Sequence, residues 1–449
     1  MKTKIDILNR DEFINRVIQL VNLISSNKGN MTFAINGAWG CGKTFVLEEI
    51  ERRLSDDEYK KYLVIHYNCW QYDYYDEPLV ALVSVLLDYL KKTKKVSPKK
   101  REKVATVAKQ LGKAAFIVGA HYIENKTGLD FGKEADAVTN IFDGIDEALK
   151  VNDREFDKNL SLKDTLEKLK NELAKVLKEK TLIFCVDELD RCLPEYAIKV
   201  LERLHHFTEG LPNTITILAV DKNRLENTVT SIFGKDNATD YLKKFVRFEL
   251  SLDNGRTNAH KFFEKYPDFY ERFDPSLFDP LQHTEQFIEE LFRGIDPRSQ
   301  ERIVEKATIF NDVYFGTEKQ DYTMMYMELF MATLYYYHHD ESIFAPNKGV
   351  RKLTEPFGNC DTIAYVFGSP NSGFRFDSAS IALGFYGNKM LVSTSNIYMV
   401  IYYYWYHATK RTKEMGNQEL FPGTDVPNAR LEMNLEKISN GISLLKTIS

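Results

Sequence analysis

The chain has 449 residues, 43% of them hydrophobic and 28% charged, the make-up of an ordinary soluble protein with room for about two to three domains. A formal net charge of -5 leaves no global electrostatic footprint for nucleic acid. Five scattered cysteines (Cys41, Cys69, Cys185, Cys192 and Cys360), with no C-x-x-C spacing, fit a reducing compartment and argue against a disulfide framework or a zinc site. From the amino terminus, "MKTKIDILNRDEF" lacks the apolar centre of a secretory signal. "AAFIVGAHYI" and "NIYMVIYYYWYHA" are too short or too polar for the roughly 18 apolar residues that a bilayer crossing needs. A cytoplasmic protein without a membrane span is expected.

The elements follow in chain order. Phe13, Ile14, Val17, Ile18, Val21, Leu23 and Ile24 fall at helical spacing and predict a helix over 11–25. "MTFAING" reads as a short buried strand running into a glycine-rich loop, and "TFVLEEIERRL" as the helix that leaves it. "KYLVIHYNCW" is a second strand, and "PLVALVSVLLDYL" an apolar helix to pack on a sheet. Residues 91–113 then carry ten Lys or Arg against the single acid Glu102, and an acidic, small-residue stretch follows to about 157. The pair reads as a charged insertion, partly helical, with the basic run taken as a solvated linker. Leucines from Leu160 to Leu177 predict another helix; "TLIFCVD" and "TITILAVD" are continuous apolar strands ending in acids, on either side of a helix that starts at Pro194. Strands alternating with helices predict an α/β fold with a mostly parallel sheet covered on both faces. Beyond about residue 255 helical patterns take over. The expected organisation is a core over 1–255, a helical lid over 256–340 and a mostly helical C-terminal domain over 341–449.

The spacing G-x-x-x-x-G-K-T, from Gly37 to Thr44, is that of a phosphate-binding loop. Glycine is costly in regular structure, so Gly37, Gly40 and Gly42 within six positions point to a backbone that curves tightly or lets a ligand come close. In a parallel sheet, ligands sit outside the carboxyl ends of the strands. The loop leaves one such end, Asp187 and Glu188 stand at another, and Asp221 at a third. Triphosphate chemistry needs these parts together. Backbone N–H groups around Gly37, Gly40, Cys41, Gly42, Lys43, Thr44 and Phe45 would cradle phosphates, with Lys43 neutralising the outer ones. Thr44 would ligate Mg2+, Asp187 would hold the metal through water, and Glu188 would orient the attacking water. Contacts to phosphates leave ATP and GTP undistinguished; ATP with Mg2+ is the expectation.

These stretches together resemble the KAP group of P-loop NTPases, within the broad STAND-like and AAA-like class. "GAWGCGKT" has the group's tryptophan, Trp39, before the middle glycine. "YNCWQYDYYDEPLVALVSVLL" resembles its second strand and following helix, with Asn68, Trp70 and Gln71 in the expected places. "CVDELDRCLPE" resembles its Walker B and "ITILAVDKNRLENTV" its sensor strand, putting Asp221 at the sensor position. "DYLKKFVRFELSL" resembles the segment that closes the core, and "DPRSQERIVE" the lid motif, with Arg298 as sensor arginine. The resemblance runs from roughly residue 10 to 310 and leaves the last third unassigned. It implies a P-loop ATPase whose sites are often completed between subunits, hence a homo-oligomer or a partner protein. Arg191, Lys243, Lys244 and Arg247 are then candidates for a cation supplied in trans. Many relatives carry membrane helices between the two Walker motifs; only "KAAFIVGAHYI" stands there, so an anchor is not carried over. Bacterial members are often plasmid-associated or defence-related, which implies a part in phage exclusion.

Other residues have plainer readings. His205 and His206 lack metal-ligand spacing and read as surface histidines. "LYYYHH" and "YYYWYH" could stack nucleic-acid bases, but packing between helices is the preferred reading. Nucleic acid or anionic lipid on residues 91–113 is not favoured. A nucleotide-gated scaffold with little turnover, and a DNA-stimulated ATPase, stand as alternatives to an ATP hydrolase.

Overall fold

Seven-residue apolar runs separated by amphipathic helices are what a sheet covered on both faces requires, and the chain uses them in that way. The computed structural model describes residues 5–56, 61–75, 77–127, 162–234, 238–274, 284–320 and 322–333, the short segments 384–386 and 389–391, and residues 444, 445 and 447. The readings placed on 334–339, on 402–407 and on most of the C-terminal domain, with the acidic part of the insertion from 128, lie outside the described residues.

Contacts divide the chain into two compact units, Asp11–Asp253 and Met1–Arg10 with Asn254–Ser449. In the first, strands β1 (Asn30–Asn36), β2 (Tyr62–Asn68), β3 (Thr181–Asp187), β4 (Thr214–Val220) and β5 (Glu249–Ser251) form one sheet in the order β2-β3-β4-β1-β5. All four pairings are parallel. The interior strands β3 and β4 are buried at all seven positions. Alternate residues feed opposite faces, as the two-residue period of a strand dictates. Leu182, Phe184 and Val186 of β3 join a cluster with α3 (Pro78–Lys92), α4 (Pro98–Thr127), α5 (Leu162–Leu177) and α6 (Pro194–Thr208). Ile183 and Cys185 join the other cluster, with α1 (Asp11–Ser26) and α2 (Lys43–Ser55). Each fully buried Val, Leu, Ile or Phe contributes about 1.5–3 kcal/mol, so the two-sided burial fixes the sheet and, with it, the edge where the strands end.

The basic run differs from its linker reading. It enters a continuous helix, α4, whose Val104, Ala105, Ala108, Leu111 and Ala115 are buried against α3 and α5. Those positions recur at helical spacing, but lysines at the remaining ones flatten the pattern. Lys99, Lys100 and Lys103 are exposed. No described helix is long and apolar enough to cross a membrane.

After β4 come α7 (Lys222–Phe233), α8 (Ala238–Leu242) and β5. The second unit holds α9 (Ala259–Lys265), α10 (Pro267–Tyr270), α11 (Thr284–Leu291), α12 (Pro297–Tyr314) and α13 (Tyr322–Ala332) around an aromatic core that includes Phe262, Phe287, Phe292, Phe310 and Tyr326. Asp296 caps α12 by accepting from the Arg298 and Ser299 amides, and Pro297 takes the first helical position. Among the described residues of the region read as mostly helical is an antiparallel pair, β6 (Gly384–Tyr386) with β7 (Lys389–Leu391).

Candidate functional site

Between β1 and α2 the chain turns through the glycine loop. Gly40 (φ 88°) and Gly42 (φ 94°) are left-handed, conformations that side chains rarely adopt. Gly37 is needed for a different reason. A Cβ there would lie 2.5 Å from Cys41 Sγ and 2.9 Å from the Leu252 carbonyl oxygen, and the Gly37 amide donates to the Val220 carbonyl at 3.1 Å. Gly37→Ala is therefore expected to push the loop off β4 and lower stability by about 1–3 kcal/mol, the usual range for overpacking. Thermal denaturation checks this, and an unchanged midpoint would show that Cys41 swings aside without cost.

α2 opens at Lys43 with no acidic residue in its first turn, which leaves its positive end available to an anion. Lys43 is buried at 8% exposure; its Nζ donates to the carbonyls of Gly37 (2.8 Å) and Ala38 (3.2 Å) and stands 4.0 Å from Asp190 Oδ2. Cys41 is buried in the core below the loop, and Phe45 packs half-buried against the same cluster.

Asp187 closes β3 and is 2% exposed. One carboxylate oxygen accepts from the Glu188 amide at 2.8 Å, and the nearby Thr44 hydroxyl favours the charged form of this side chain. Its Oδ2 is buried with no hydrogen-bond partner among the described residues. Burial pushes the carboxyl above its ordinary range, against the opposing pull of Thr44. An orphaned buried carboxylate oxygen is costly unless a cation meets it. Thr44 and Asp187 together are hard oxygen donors of the kind that suits Mg2+, so the residues fit that ion.

Glu188 is the next residue and sits in the left-handed region at φ 60°, ψ 23°. Its carboxylate is held at both oxygens: Asn68 Nδ2 donates to Oε2 at 2.9 Å, and Arg191 pairs with Oε1 at 2.8 Å. Asn68 is the last residue of β2, and its own Oδ1 accepts from the Gln71 amide at 3.0 Å. The left-handed turn also brings Asp190 back to the loop. Its Oδ2 accepts from the Asp221 amide at 3.2 Å on the side that faces Lys43. Asp221 stands at the end of β4 as expected, and its carboxylate caps α7, accepting from the Asn223 and Arg224 amides at 3.1 and 3.4 Å.

Lys43, Thr44, Asp187, Glu188 and Asp221 thus come together at the carboxyl ends of β1, β3 and β4. Arg298 lies in the other unit, in the first turn of α12. Of the candidates for a cation in trans, Arg191 is committed to Glu188 of its own chain. Lys243 is exposed and pairs with Asp240, Lys244 lies over the Tyr241 ring, and the Arg247 amide bonds to Thr32 near the amino end of β1. His205 is half-buried and His206 exposed, both beside Glu209. The reading from sequence missed three contacts: Asp190 with Lys43, Arg191 with Glu188, and Arg224 stacked 4.1 Å over Trp39. The i, i+3 spacing of Glu188 and Arg191 was the one available signal for them.

The KAP family P-loop domain matches residues 10–314 of the chain, a span that includes each of these residues. No curated protein is similar enough to match it.

Proposed function

The chain belongs to the KAP family of P-loop domains and is thereby a nucleotide-binding NTPase at family level; from that premise we propose that it is a Mg2+-dependent ATP hydrolase. The observation that carries the reading is the convergence of the glycine loop with Asp187, whose buried Oδ2 has no donor among the described residues. An ATP γ-phosphate laid along the loop would meet the α2 amides and Lys43, which would turn from the Gly37 and Ala38 carbonyls toward the outer phosphates. Thr44 and Asp187 would hold Mg2+, which when bound supplies charge neutralisation to the phosphates. Glu188 would orient water for in-line attack and take its proton. Arg298, matched to the lid motif, is assigned to report the nucleotide state. Assembly on ATP binding and a part in phage exclusion complete the proposal; both rest on the family resemblance alone.

Calorimetry with ATP and GTP, with and without Mg2+, followed by phosphate release, tests this. Tight binding of ATP that weakens on chelation of Mg2+, with measurable turnover, is expected. Asp187→Asn should remove most of the Mg2+ dependence, by about ten-fold or more, because a neutral amide lacks the charge that an oxygen-seeking cation needs. Binding of neither nucleotide would sink the reading.

A second reading has its own observation. Both Glu188 oxygens are engaged by Asn68 and Arg191, which suits a nucleotide-gated switch that turns over slowly. Turnover below about one per minute, with ATP-dependent change in oligomer size, would favour it; stimulation by added DNA would instead favour a DNA-dependent enzyme working through α4.

A further inference from the structure

Arg191 is buried enough, at 23% side-chain exposure, to be held rather than solvated. Four contacts fix it. Its guanidinium pairs with Glu188 at 2.8 Å and lies over the rings of both Trp39 and Trp70, 5.5 Å from each centroid. Its amide donates to the Glu188 carbonyl at 3.2 Å, closing the turn that the left-handed Glu188 opens. A non-glycine residue in that conformation carries strain of about 1–3 kcal/mol, which persists only where neighbours over-determine it. Trp39 comes from the glycine loop and Trp70 from the turn that follows β2, and both remain about half exposed, at 46% and 52%. Two exposed tryptophans at one edge are unusual unless something uses their faces; within about 6 Å of a ring centroid, the attraction for a cation is appreciable. The plainer alternative, an arginine stem laid over apolar surface, leaves the short ion pair to Glu188 unexplained.

We propose that Arg191 is the positioning residue for Glu188, with Trp39 and Trp70 holding its guanidinium in place. The inference rests on the reading of Glu188 as the group that orients water. It links three segments that a nucleotide would touch: the loop through Trp39, the end of β2 through Trp70 and the end of β3 through Glu188. It also withdraws Arg191 from supply to another subunit, since the guanidinium is used within its own chain.

The test uses the full chain with Trp405→Phe, so that emission comes from Trp39 and Trp70 alone among its three tryptophans. Arg191→Ala should lower kcat for ATP by about 10- to 100-fold, with KM changed less than about two-fold, because misplacing a catalytic group costs rate and not ground-state binding. Arg191→Lys, which keeps the charge without the planar fork, should recover part of that loss. In a Glu188→Gln background, Arg191→Ala should cost less than about three-fold more. Without nucleotide, acrylamide quenching of the two tryptophans should rise in both Arg191→Ala and Glu188→Gln. Independent losses in the double variant, a raised kcat, or quenching untouched by Glu188→Gln would each overturn the proposal. The quenching comparison needs no turnover, so an inactive wild type would sink the ATPase reading while the hold of Arg191 on Glu188 is still decided.

Discussion

Lys43→Ala is expected to lose nucleotide binding by about a hundred-fold or more, the largest effect on binding expected at this site. The argument starts from burial. An ammonium at 8% exposure, anchored on two loop carbonyls and 4.0 Å from Asp190, is a charge already stripped of most of its water. A triphosphate would take over those interactions at little further desolvation cost, and charge-assisted hydrogen bonds are about twice as strong as neutral ones. Removing the ammonium leaves anionic phosphates beside the Asp190 carboxylate with nothing between them. Removing one partner of a buried pair costs about 3–5 kcal/mol, and a fall in melting temperature is expected as well. Titration calorimetry with ATP, on protein shown by circular dichroism to be folded, reads the effect. Retained micromolar binding would end the assignment of the glycine loop to phosphates.

Glu188→Gln should keep nucleotide binding and slow hydrolysis by about a hundred- to ten-thousand-fold, the range for losing a general base. Gln fills the same volume and tolerates the same backbone as Glu, and its amide oxygen can still accept from Asn68. What it cannot do is take a proton from water. Single-turnover phosphate release, set against the dissociation constant for ATP, separates the two quantities. A variant that hydrolyses at the wild-type rate would pass the role to another group, with Asp190 the first carboxylate to test at this edge.

How far residues alone reveal such a site depends on what their signal is made of. β3 and β4 were readable because a strand buried on both faces must be apolar at nearly every position, and "TLIFCVD" and "TITILAVD" are. The glycine loop was readable because its chemistry leaves almost no choice of residue at Gly37, Gly40, Gly42 and Lys43. α4 was hidden in part: its buried stripe is three alanines, a valine and a leucine among lysines, so charge density outweighed periodicity. Of the clamp on Glu188, only the i, i+3 spacing to Arg191 was there to read. The clamp depends on a left-handed residue that is not glycine, and nothing in "DELDR" announces that turn. Asp190 reaches Lys43 only because of it. The same holds for Trp39 and Trp70, 31 positions apart in the chain and brought to one guanidinium by strands that do not pair with each other.

The strand order has a consequence for how the protein is made. β1, which carries the glycine loop, pairs with β4 and β5 and not with β2, its neighbour in the chain. On a ribosome that adds about 5–20 residues per second, the loop's strand waits until residues 214–220 have left the exit tunnel before its first partner exists. For that interval an apolar strand has no sheet to join, and "NMTFAIN" is a stretch that could pair with the wrong chain. Closing so long a span is slow, because the loop's entropy must be overcome before any contact rewards it. A nascent chain stopped short of β4 would carry every residue of the glycine loop and still lack the strand that holds it. Nucleotide is thus a ligand of a chain already past its midpoint, able to steady the sheet only after the sheet's last strands have arrived.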